Sequence, residues 1–485
     1  MATTEHTATS APPGLAPEHC RRARLARDPR FDGRFFVAVR TTGIYCRPIC
    51  PATPPLEKNV RYFATSLAAA EAGFRPCLRC RPDSAPDSPA WRGTDTTLTR
   101  ALRLIEEGAL SDGSVVELCE RLGIGERHLR GLFQRRFGVS PKAYAQHRQC
   151  LFAKQLLHQT QLPITEIAYA SGFASIRRFN DAFHRRIGLT PREIRHRDRR
   201  AKTDAKTDAG LTLTLSYRPP YAWAHLRDYL ARRAIEGLEW VADNAFGRHL
   251  RWGTATGRFT AHHLPDRHAF RVELWLSEPR LLAPVVANLR RVLDLDTDSD
   301  AIAAHLKDAI PTLSPVAGLR LPGLWSPFEA AVRAVLGQQV TLGAARRLTQ
   351  TLVDALGAPA AGGGRHFPEA AAIAASDLAF LGMPDSRRQT LRRLAAAQVA
   401  SHDHGPLGQD ATREGDDGVK GMGPWTLGYA SLRGRSAPDI WLAGDAGIRR
   451  ALKRSPDIDP ERAAPWRSYL MLTLWSLDHD QHPDT

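Results

Sequence analysis

Two closely spaced pairs of cysteines near the start of the chain constrain its fold more than any other feature. The first pair is Cys46 and Cys50, and the second pair is Cys77 and Cys80. The chain has 7 cysteines in 485 residues, and none lies beyond residue 150. The other three are scattered, at Cys20, Cys119 and Cys150. Two tight pairs at this separation are typical of a site in which four thiolates hold one zinc ion.

Length and charge limit the architecture and the class of partner. A chain of 485 residues predicts two to four domains. The formal net charge of +16 and the pI of about 10.0 favour an anionic partner such as nucleic acid, the alternative being a basic protein with no such partner. There is no apolar run long enough for a membrane span. The polar N-terminus and the free thiols lead us to expect a cytoplasmic protein, associated with the nucleoid.

Composition breaks divide the chain into four expected domains. Pro- and Ser-rich residues 82–89 and the tandem Ala-Lys-Thr-Asp repeat before Gly210 are typical of linkers. Alternation of Leu211, Leu213 and Leu215 with polar residues predicts a half-buried strand, and the chain from about residue 320 has a helical pattern. We therefore expect a multidomain α+β protein: a small zinc domain at 17–82, an all-α region at 95–198, a small α/β domain at 211–312 and an all-α domain at 313–485.

An internal repeat with an offset of 50 residues predicts two helix-turn-helix motifs in the all-α region. Leu129 and Phe133 recur as Phe179 and Phe183, and a glycine followed by a proline ends each copy. The polar faces of the second helices carry side chains suited to base edges in the major groove. We expect DNA contacts from Arg127, His128, Arg130, Arg177, Arg178 and Asn180. The alternative is the solvated face of an ordinary helical bundle.

The second copy of this repeat resembles the AraC-type activators. The matching residues are Ile167–Phe173, with Phe179 and Phe183, and Gly188–Pro191. The resemblance covers about 100 residues and implies that one chain contacts two adjacent major grooves of double-stranded DNA. For an activator of transcription, RNA polymerase is a further expected partner.

The segments around the cysteines resemble the N-terminal domain of the Ada methylation-response proteins, over Thr41–Pro48, Glu57–Val60 and Ala72–Pro82. In that family the first of the four cysteines also accepts a methyl group from a methylphosphotriester in DNA. The resemblance therefore implies that Cys46 is a nucleophile, activated as a thiolate by one Zn²⁺. Methylation would remove one negative charge next to DNA and tighten binding. The expected phosphate contacts are Arg47, Arg75 and Arg79. A purely structural zinc site is the alternative.

The C-terminal region contains a weaker motif, Gly421-Met422-Gly423-Pro424-Trp425. A Gly-x-Gly turn with a proline at the first helical position directs backbone N–H groups at a phosphate, although a plain turn between helices has the same pattern. About twenty residues later, Asp445 precedes a helical run. The residues alone suit an N-cap for this aspartate.

From about Leu211 to the end, the chain resembles AlkA-type 3-methyladenine DNA glycosylases, which implies a small α/β domain followed by a helix-hairpin-helix domain. The matching segments are Leu213–Tyr221, Leu319–Gly323, Ala334–Val340, Leu381–Pro384 and Pro465–Tyr469. The resemblance implies that Asp445 is the catalytic carboxylate and that Gln339 occupies the position of a DNA wedge. It places a flipped base among Trp425, Tyr429 and Trp475. Trp425 stands where bifunctional relatives have a lysine, so we expect a monofunctional hydrolase.

Together these patterns predict a protein that acts on alkylation damage and fuses three parts: a methyl acceptor, a DNA-binding activator and a glycosylase. The absence of cysteine beyond residue 150 excludes a second acceptor thiol in the C-terminal half. The short polar segment 415–420 before the hairpin leaves an alternative open. In that alternative the protein is a transcription regulator whose glycosylase half is catalytically weak or inactive.

Overall fold

A computed structural model describes residues 16–27, 35–50, 52–64, 68–69, 72–77, 80, 82, 94–111, 113–198, 210–400 and 419–479. The chain forms two compact units, Met1–Ile105 with Gly113–Tyr144 and Glu106–Asp112 with Ala145–Thr485. The expected region 95–198 is therefore divided between the units, and the domain boundaries drawn from sequence stay predictions. None of the helices described here has the length and apolarity to cross a bilayer.

The first unit begins with helix α1 (Pro17–Ala26) and a four-stranded sheet. Its strands are β1 (Phe36–Val39), β2 (Ile44–Cys46), β3 (Val60–Phe63) and β4 (Arg75–Pro76), in the order β3-β1-β2-β4. The parallel pairing of β2 with β4 aligns Tyr45 with Pro76. Since Cys46 and Cys77 come directly after these two residues, the register brings the two cysteine pairs together.

The first unit also contains the first helix-turn-helix motif. Its helices are α2 (Thr94–Glu106), α3 (Val115–Leu122) and α4 (Glu126–Phe137). Ser114 and Glu117 form a capping box at the start of α3, and Gly123 ends α3 in the left-handed region at φ 67°. Leu129, Leu132 and Phe133 are buried on one face of α4, as the helical spacing predicts.

Helix α5 (Pro141–Gln159) connects the two motifs along the chain, and the second unit contains α6 (Ile164–Ala170), α7 (Ile176–Ile187) and α8 (Pro191–Asp198). The Ser175 hydroxyl caps α7. Phe179 and Phe183 belong to the same hydrophobic core as Leu213 and Phe270 of the following sheet. The second motif is thus packed on the α/β region rather than separated from it.

The α/β region contains a five-stranded antiparallel sheet in the order β5-β9-β8-β7-β6. Its strands are β5 (Leu211–Ser216), β6 (Glu239–Ala242), β7 (Ala245–Trp252), β8 (Ala255–Leu264) and β9 (Ala269–Leu276). Helices α9 (Trp223–Ala231), α10 (Leu282–Val292) and α11 (Ser299–Ala309) complete the region. The half-buried strand predicted from Leu211, Leu213 and Leu215 is confirmed as β5, whereas β6 and β7 had not been predicted. Strand β7 is buried along most of its length, so its residues lack the alternation that marks a half-buried strand.

The C-terminal part is helical, as predicted. It consists of α12 (Pro327–Leu336), α13 (Leu342–Leu356), α14 (Ala370–Ala375), α15 (Asp385–Ala400), α16 (Pro424–Arg435), α17 (Ala446–Arg454) and α18 (Arg467–His479). Three buried charges and the partly buried Arg333 join it to the sheet. Arg248 of β7 pairs with Glu329 of α12 at 2.9 Å, and Arg333 pairs with Glu329 at 2.7 Å and with Glu239 at 3.0 Å. The expected multidomain α+β fold class is confirmed.

Candidate functional site

The ligand atoms of Cys46, Cys50, Cys77 and Cys80 all lie within 4.8 Å of one another. Four sulfurs at the corners of a tetrahedron around zinc are separated by about 3.8 Å, for a Zn–S distance of about 2.3 Å. Cys50 and Cys80 are buried, whereas Cys46 and Cys77 are partly exposed. The donor set and spacing fit one zinc ion, and the predicted zinc site is confirmed.

The crowding of these thiols explains why they need a cation. Hydrogen bonds with Cys50 and Cys80, followed by burial, raise the pKa of Cys46 above its ordinary value. Hydrogen bonds from Cys46 and Cys80 lower the pKa of Cys50 to about 2 despite burial. Without a metal, the neighbouring thiols and burial therefore oppose ionisation of Cys46. A divalent cation bound by all four sulfurs would allow Cys46 to be a thiolate as well.

The arginines expected to contact phosphates around this cluster differ in position. Arg47 is only 6% exposed, and its guanidinium donates to the Cys80 carbonyl oxygen at 3.4 Å. This contact links the segment after Cys46 to the segment of Cys80, and the phosphate contact expected of Arg47 stays a prediction. Arg75 is exposed on β4, and Arg79 lies outside the described residues.

The six side chains expected to contact base edges are all exposed. Arg127, His128 and Arg130 lie on α4, whose apolar face is buried, while Arg177, Arg178 and Asn180 have the same arrangement on α7. No carboxylate of the described residues forms a salt bridge with any of the four arginines. Each second helix therefore presents free donors, which is what groove binding requires.

Asp445 is the residue around which the C-terminal site is organised. Its side chain caps α17, with Oδ1 accepting from the Ile448 amide at 3.1 Å. Trp475 of α18 donates its indole N–H to Oδ1 at 2.9 Å, and Trp425 of α16 donates to Oδ2 at 3.2 Å. An ionised carboxylate, which only accepts, matches three N–H donors. Asp445 is therefore an N-cap and also the common acceptor of two indole N–H groups.

Tyr429 lies beside this carboxylate. Its ring stacks on Trp425 with centroids 5.2 Å apart and an interplanar angle of 14°. Its hydroxyl accepts from the guanidinium of Arg433 at 2.9 Å, and the same nitrogen donates to the Tyr229 hydroxyl at 3.1 Å. Trp425 and Trp475 thus meet at Asp445 and Tyr429 stacks on Trp425, while their role as a base pocket stays a prediction. No pattern in the sequence singled out Tyr229, which comes from α9 of the α/β region, 200 residues (429 − 229) before Tyr429.

The Gly-x-Gly turn packs on α15 and on the loop between α12 and α13. The Thr390 hydroxyl donates to the Lys420 carbonyl oxygen at 3.2 Å. Gln338 donates to the Gly421 carbonyl oxygen at 3.0 Å and to the Thr426 hydroxyl at 2.8 Å. Most of the polar segment 415–420 lies outside the described residues.

Gln338 had not been singled out from the sequence. Its hydrogen bonds to Gly421 and Thr426 hold the next residue, Gln339, beside the turn. Gln339 is exposed, and its backbone lies in the left-handed region at φ 56°. Gly421 and Gly423 are exposed in the turn itself. The hairpin turn and the projecting Gln339 are therefore parts of one surface, which we call the hairpin surface.

Models of three protein families match consecutive parts of the chain. Residues 19–83 match the metal binding domain of Ada, residues 118–197 match a helix-turn-helix domain, and residues 212–326 match the AlkA N-terminal domain. The family resemblances inferred from the sequence are therefore confirmed.

Some known relatives match only part of this chain, and one matches nearly all of it. DNA-3-methyladenine glycosylase 2 of Escherichia coli is 33% identical over 54% of this chain and 96% of its own length. The Escherichia coli bifunctional transcriptional activator/DNA repair enzyme Ada is 36% identical over 36% of this chain and 47% of its own length. A probable bifunctional transcriptional activator/DNA repair enzyme AlkA of Mycobacterium tuberculosis is 38% identical over 95% of this chain and 97% of its own length. This chain therefore belongs to the family of bifunctional transcriptional activator/DNA repair enzymes of the AlkA type.

Proposed function

We propose that this chain excises alkylated bases of the 3-methyladenine type from DNA by hydrolysing the N-glycosidic bond, with Asp445 as the catalytic carboxylate. One observation supports this proposal above all others. The Asp445 carboxylate accepts from the indoles of Trp425 and Trp475, beside the stacked ring of Tyr429. A carboxylate among aromatic faces suits a flipped, electron-poor base with its sugar next to the anion.

The hydrogen bonds indicate which oxygen reacts. A carboxylate has about four acceptor positions. Oδ1 accepts from Ile448 and Trp475, whereas Oδ2 accepts only from Trp425 among the described residues. Oδ2 therefore has room for a further partner. As the C1′–N bond breaks and the base leaves with its electrons, this oxygen stabilises the positive sugar. A water molecule then bonds to C1′ and gives up a proton towards Oδ2.

The test compares two helix caps. Asp445→Asn keeps a good N-cap and nearly the same shape, so the protein folds while the charge is removed. Asp298→Asn makes the same change at the cap of α11, where Asp298 accepts from the Ala301 amide. We expect wild type and Asp298→Asn to release free 3-methyladenine from methylated duplex DNA, and Asp445→Asn to release at least about a hundredfold less. Absence of release by folded wild-type protein would favour the alternative of an inactive glycosylase half.

The N-terminal site supports a second activity, methyl transfer to Cys46. Its sulfur would attack the methyl carbon of a methylphosphotriester, forming S–CH₃ while the C–O bond breaks and the phosphodiester anion leaves. The four cysteines would hold the zinc, which keeps the attacking sulfur ionised. Partial exposure of Cys46, in contrast to buried Cys50 and Cys80, makes it accessible to a backbone phosphate.

Mass spectrometry of zinc-loaded protein tests methyl transfer. After incubation with DNA carrying methylphosphotriesters, we expect one methyl group on the peptide that contains Cys46 and none on the peptide that contains Cys150, whose thiol is buried. Methylation would stop at one group per chain, because the thioether cannot be released. An unmodified Cys46 peptide in protein that retains its zinc would leave only a structural metal site.

The helix-turn-helix motifs suit sequence-specific promoter binding, switched on by methylation of Cys46. The exposed Arg and Asn side chains on α4 and α7 support this part of the proposal. We expect methylated protein to bind its operator more tightly than unmethylated protein, with Arg177→Ala lowering affinity for the operator more than for random DNA. Equal operator affinity before and after methylation would separate repair from regulation.

A further inference from the structure

The loop that ends at Asp445 contains no helix or strand. It connects α16 to α17 over residues 436–445, and we call it the Asp445 loop. Backbone N–H and C=O groups outside regular structure need other hydrogen-bond partners wherever they are buried. Helix α18 supplies several of these partners, and they follow the loop in order along the helix.

Ser468, in the first turn of α18, fixes the first half of the Asp445 loop. Its hydroxyl donates to the Ala437 carbonyl oxygen at 2.7 Å and accepts from the Ile440 amide at 2.9 Å. Its backbone amide donates to the Pro438 carbonyl oxygen at 3.0 Å. Ser468 is 0% exposed, so bulk water does not reach these groups to replace the hydroxyl. One buried side chain therefore satisfies two backbone groups of the loop.

The next two contacts continue towards the carboxylate. The Met471 sulfur accepts from the Leu442 amide at 3.2 Å, and the Leu442 carbonyl oxygen accepts from the Asp445 amide at 2.9 Å. Trp475 then donates to the Asp445 side chain. Ser468, Met471 and Trp475 are spaced as i, i+3 and i+7, which places them on one face of a helix. The loop thus runs along this face in the direction of α18.

Helix α18 is itself firmly held. None of residues 468–474 is more than 3% exposed, so the helix is packed on all sides and cannot shift without disturbing its neighbours. On another face, the Tyr469 hydroxyl donates to Asp294 at 2.9 Å. At the start of the helix, the Arg467 guanidinium donates to both oxygens of Asp439 in the loop, at 2.7 and 3.1 Å. A two-pronged pair of this kind fixes orientation as well as distance.

We infer that α18 sets the position of the Asp445 loop, and that the buried Ser468 is a positioning residue for excision. This role deepens the proposed glycosylase function and rests on it. A catalytic group must be held within about 0.5 Å of its productive position, and a displacement of about 1 Å can slow a reaction a hundredfold. Without the Ser468 hydroxyl, the Ala437 carbonyl and the Ile440 amide lose their partner, and the loop that carries the carboxylate loosens.

Amide hydrogen exchange tests the anchoring independently of excision. In full-length Ser468→Ala, we expect exchange in the peptide that contains Ile440 to become roughly tenfold faster, because a buried hydrogen bond is lost. Thr473→Val is the matched control, since it removes a buried hydroxyl of α18 that bonds within the helix, to the Tyr469 carbonyl oxygen. It should leave exchange of the loop as in wild type. Unchanged exchange in Ser468→Ala, or equal acceleration in both variants, overturns the inference.

Single-turnover excision of 3-methyladenine tests the positioning. We expect Ser468→Ala to slow the step by roughly tenfold while its Kd for the DNA stays unchanged, and Thr473→Val to react as wild type. A merely structural residue would lower the amount of folded protein but not the rate of each folded molecule. Met471→Leu removes the sulfur acceptor at nearly constant volume and should slow excision and speed loop exchange in the same direction. It provides both measurements if Ser468→Ala does not fold.

The remaining outcomes separate this role from the proposed function. A wild-type rate in folded Ser468→Ala and in Met471→Leu contradicts a positioning role, even if exchange of the loop is faster. Wild-type protein that releases no base overturns the glycosylase proposal and the part of Ser468 in excision with it. In that case hydrogen exchange still decides whether α18 holds the Asp445 loop.

Discussion

The indole nitrogen of Trp475 lies 2.9 Å from Oδ1 of Asp445, which connects the last helix of the chain to the cap of the preceding helix. Because the same oxygen accepts from the Ile448 amide, the carboxylate is fixed in orientation as well as in position. A reacting group held from two directions needs little reorganisation during catalysis.

Replacing Trp475 with phenylalanine keeps an aromatic face in the pocket but removes the N–H donor. We expect single-turnover excision of 3-methyladenine to slow by about ten- to a hundredfold, because Asp445 loses one of its orienting bonds. Trp466→Phe is the matched control, since Trp466 packs in the same hydrophobic core but makes no hydrogen bond to Asp445. Equal slowing in both variants would point to general loss of packing instead.

Alanine at Gly421 should disrupt the hairpin surface. This glycine has φ 99°, and an added Cβ would lie 2.0 Å from the Thr390 hydroxyl oxygen. We expect Gly421→Ala to weaken binding to undamaged duplex DNA, measured by fluorescence anisotropy, because the turn must move away from α15. Gly382→Ala serves as the control, since nothing lies within 4 Å of its added Cβ. Unchanged affinity in Gly421→Ala would remove the turn from the DNA-binding surface.

The buried Glu329 should stabilise the second unit in a pH-dependent way. Burial raises the pKa of Glu329, but Arg248 and Arg333 outweigh burial and hold the pKa below its ordinary value. Such a group contributes stability that is complete above the unfolded-state pKa, about 4.3, and that is lost as the pH falls through the lower folded-state pKa.

Thermal unfolding at neutral and acidic pH measures this contribution. Glu329→Gln leaves the buried Arg248 and the partly buried Arg333 underpaired, and we expect a loss of about 3–5 kcal/mol at pH 7. The loss relative to wild type should shrink as the pH falls below about 4. Glu278→Gln removes a salt bridge to the exposed side chain of Arg280 and should leave the melting temperature nearly unchanged at both pH values. A pH-independent difference for Glu329→Gln would contradict the charge argument.

Removing one zinc ligand should abolish metal binding by the cluster. We expect Cys77→Ser to reduce bound zinc from one per chain to nearly none after dialysis, and to lower the melting temperature of the first unit. Cys119→Ala changes a buried thiol on α3 and should retain full zinc content. Full zinc in Cys77→Ser would mean that the four sulfurs do not act as one ligand set.

The sequence predicted those features whose signal is local. Cysteine spacing predicted the zinc cluster, and the repeated helical pattern predicted the buried faces of α4 and α7. For Asp445 the residues alone suited an N-cap and only the family resemblance suggested catalysis; in the structure the side chain caps α17 while accepting from two indoles. The two interpretations were therefore compatible.

Features that depend on long-range packing could not be predicted. A basic residue such as Arg47 is expected at the surface, but the fold of the cysteine loops buries it against Cys80. Tyr229 and Arg433 are ordinary helical residues until α9 packs on α16, and then they become partners across 204 residues. No periodicity within a helix contains this information, because the partner lies on another helix far away in the chain.

The contact between Gln159 and strand β5 bears on how such fusion proteins can be recombined. Gln159, at the end of α5, donates to the Thr214 carbonyl oxygen at 3.2 Å and accepts from the Thr214 amide at 2.9 Å, so its side chain imitates one more residue of a neighbouring strand. A chimera that joins this second motif to the sheet of another protein would need a first strand with a free edge at the matching residue. Exchange of modules in this family is therefore expected to succeed when α5 to β5 is moved as one piece, and to produce a loosened edge strand when the cut is made between them.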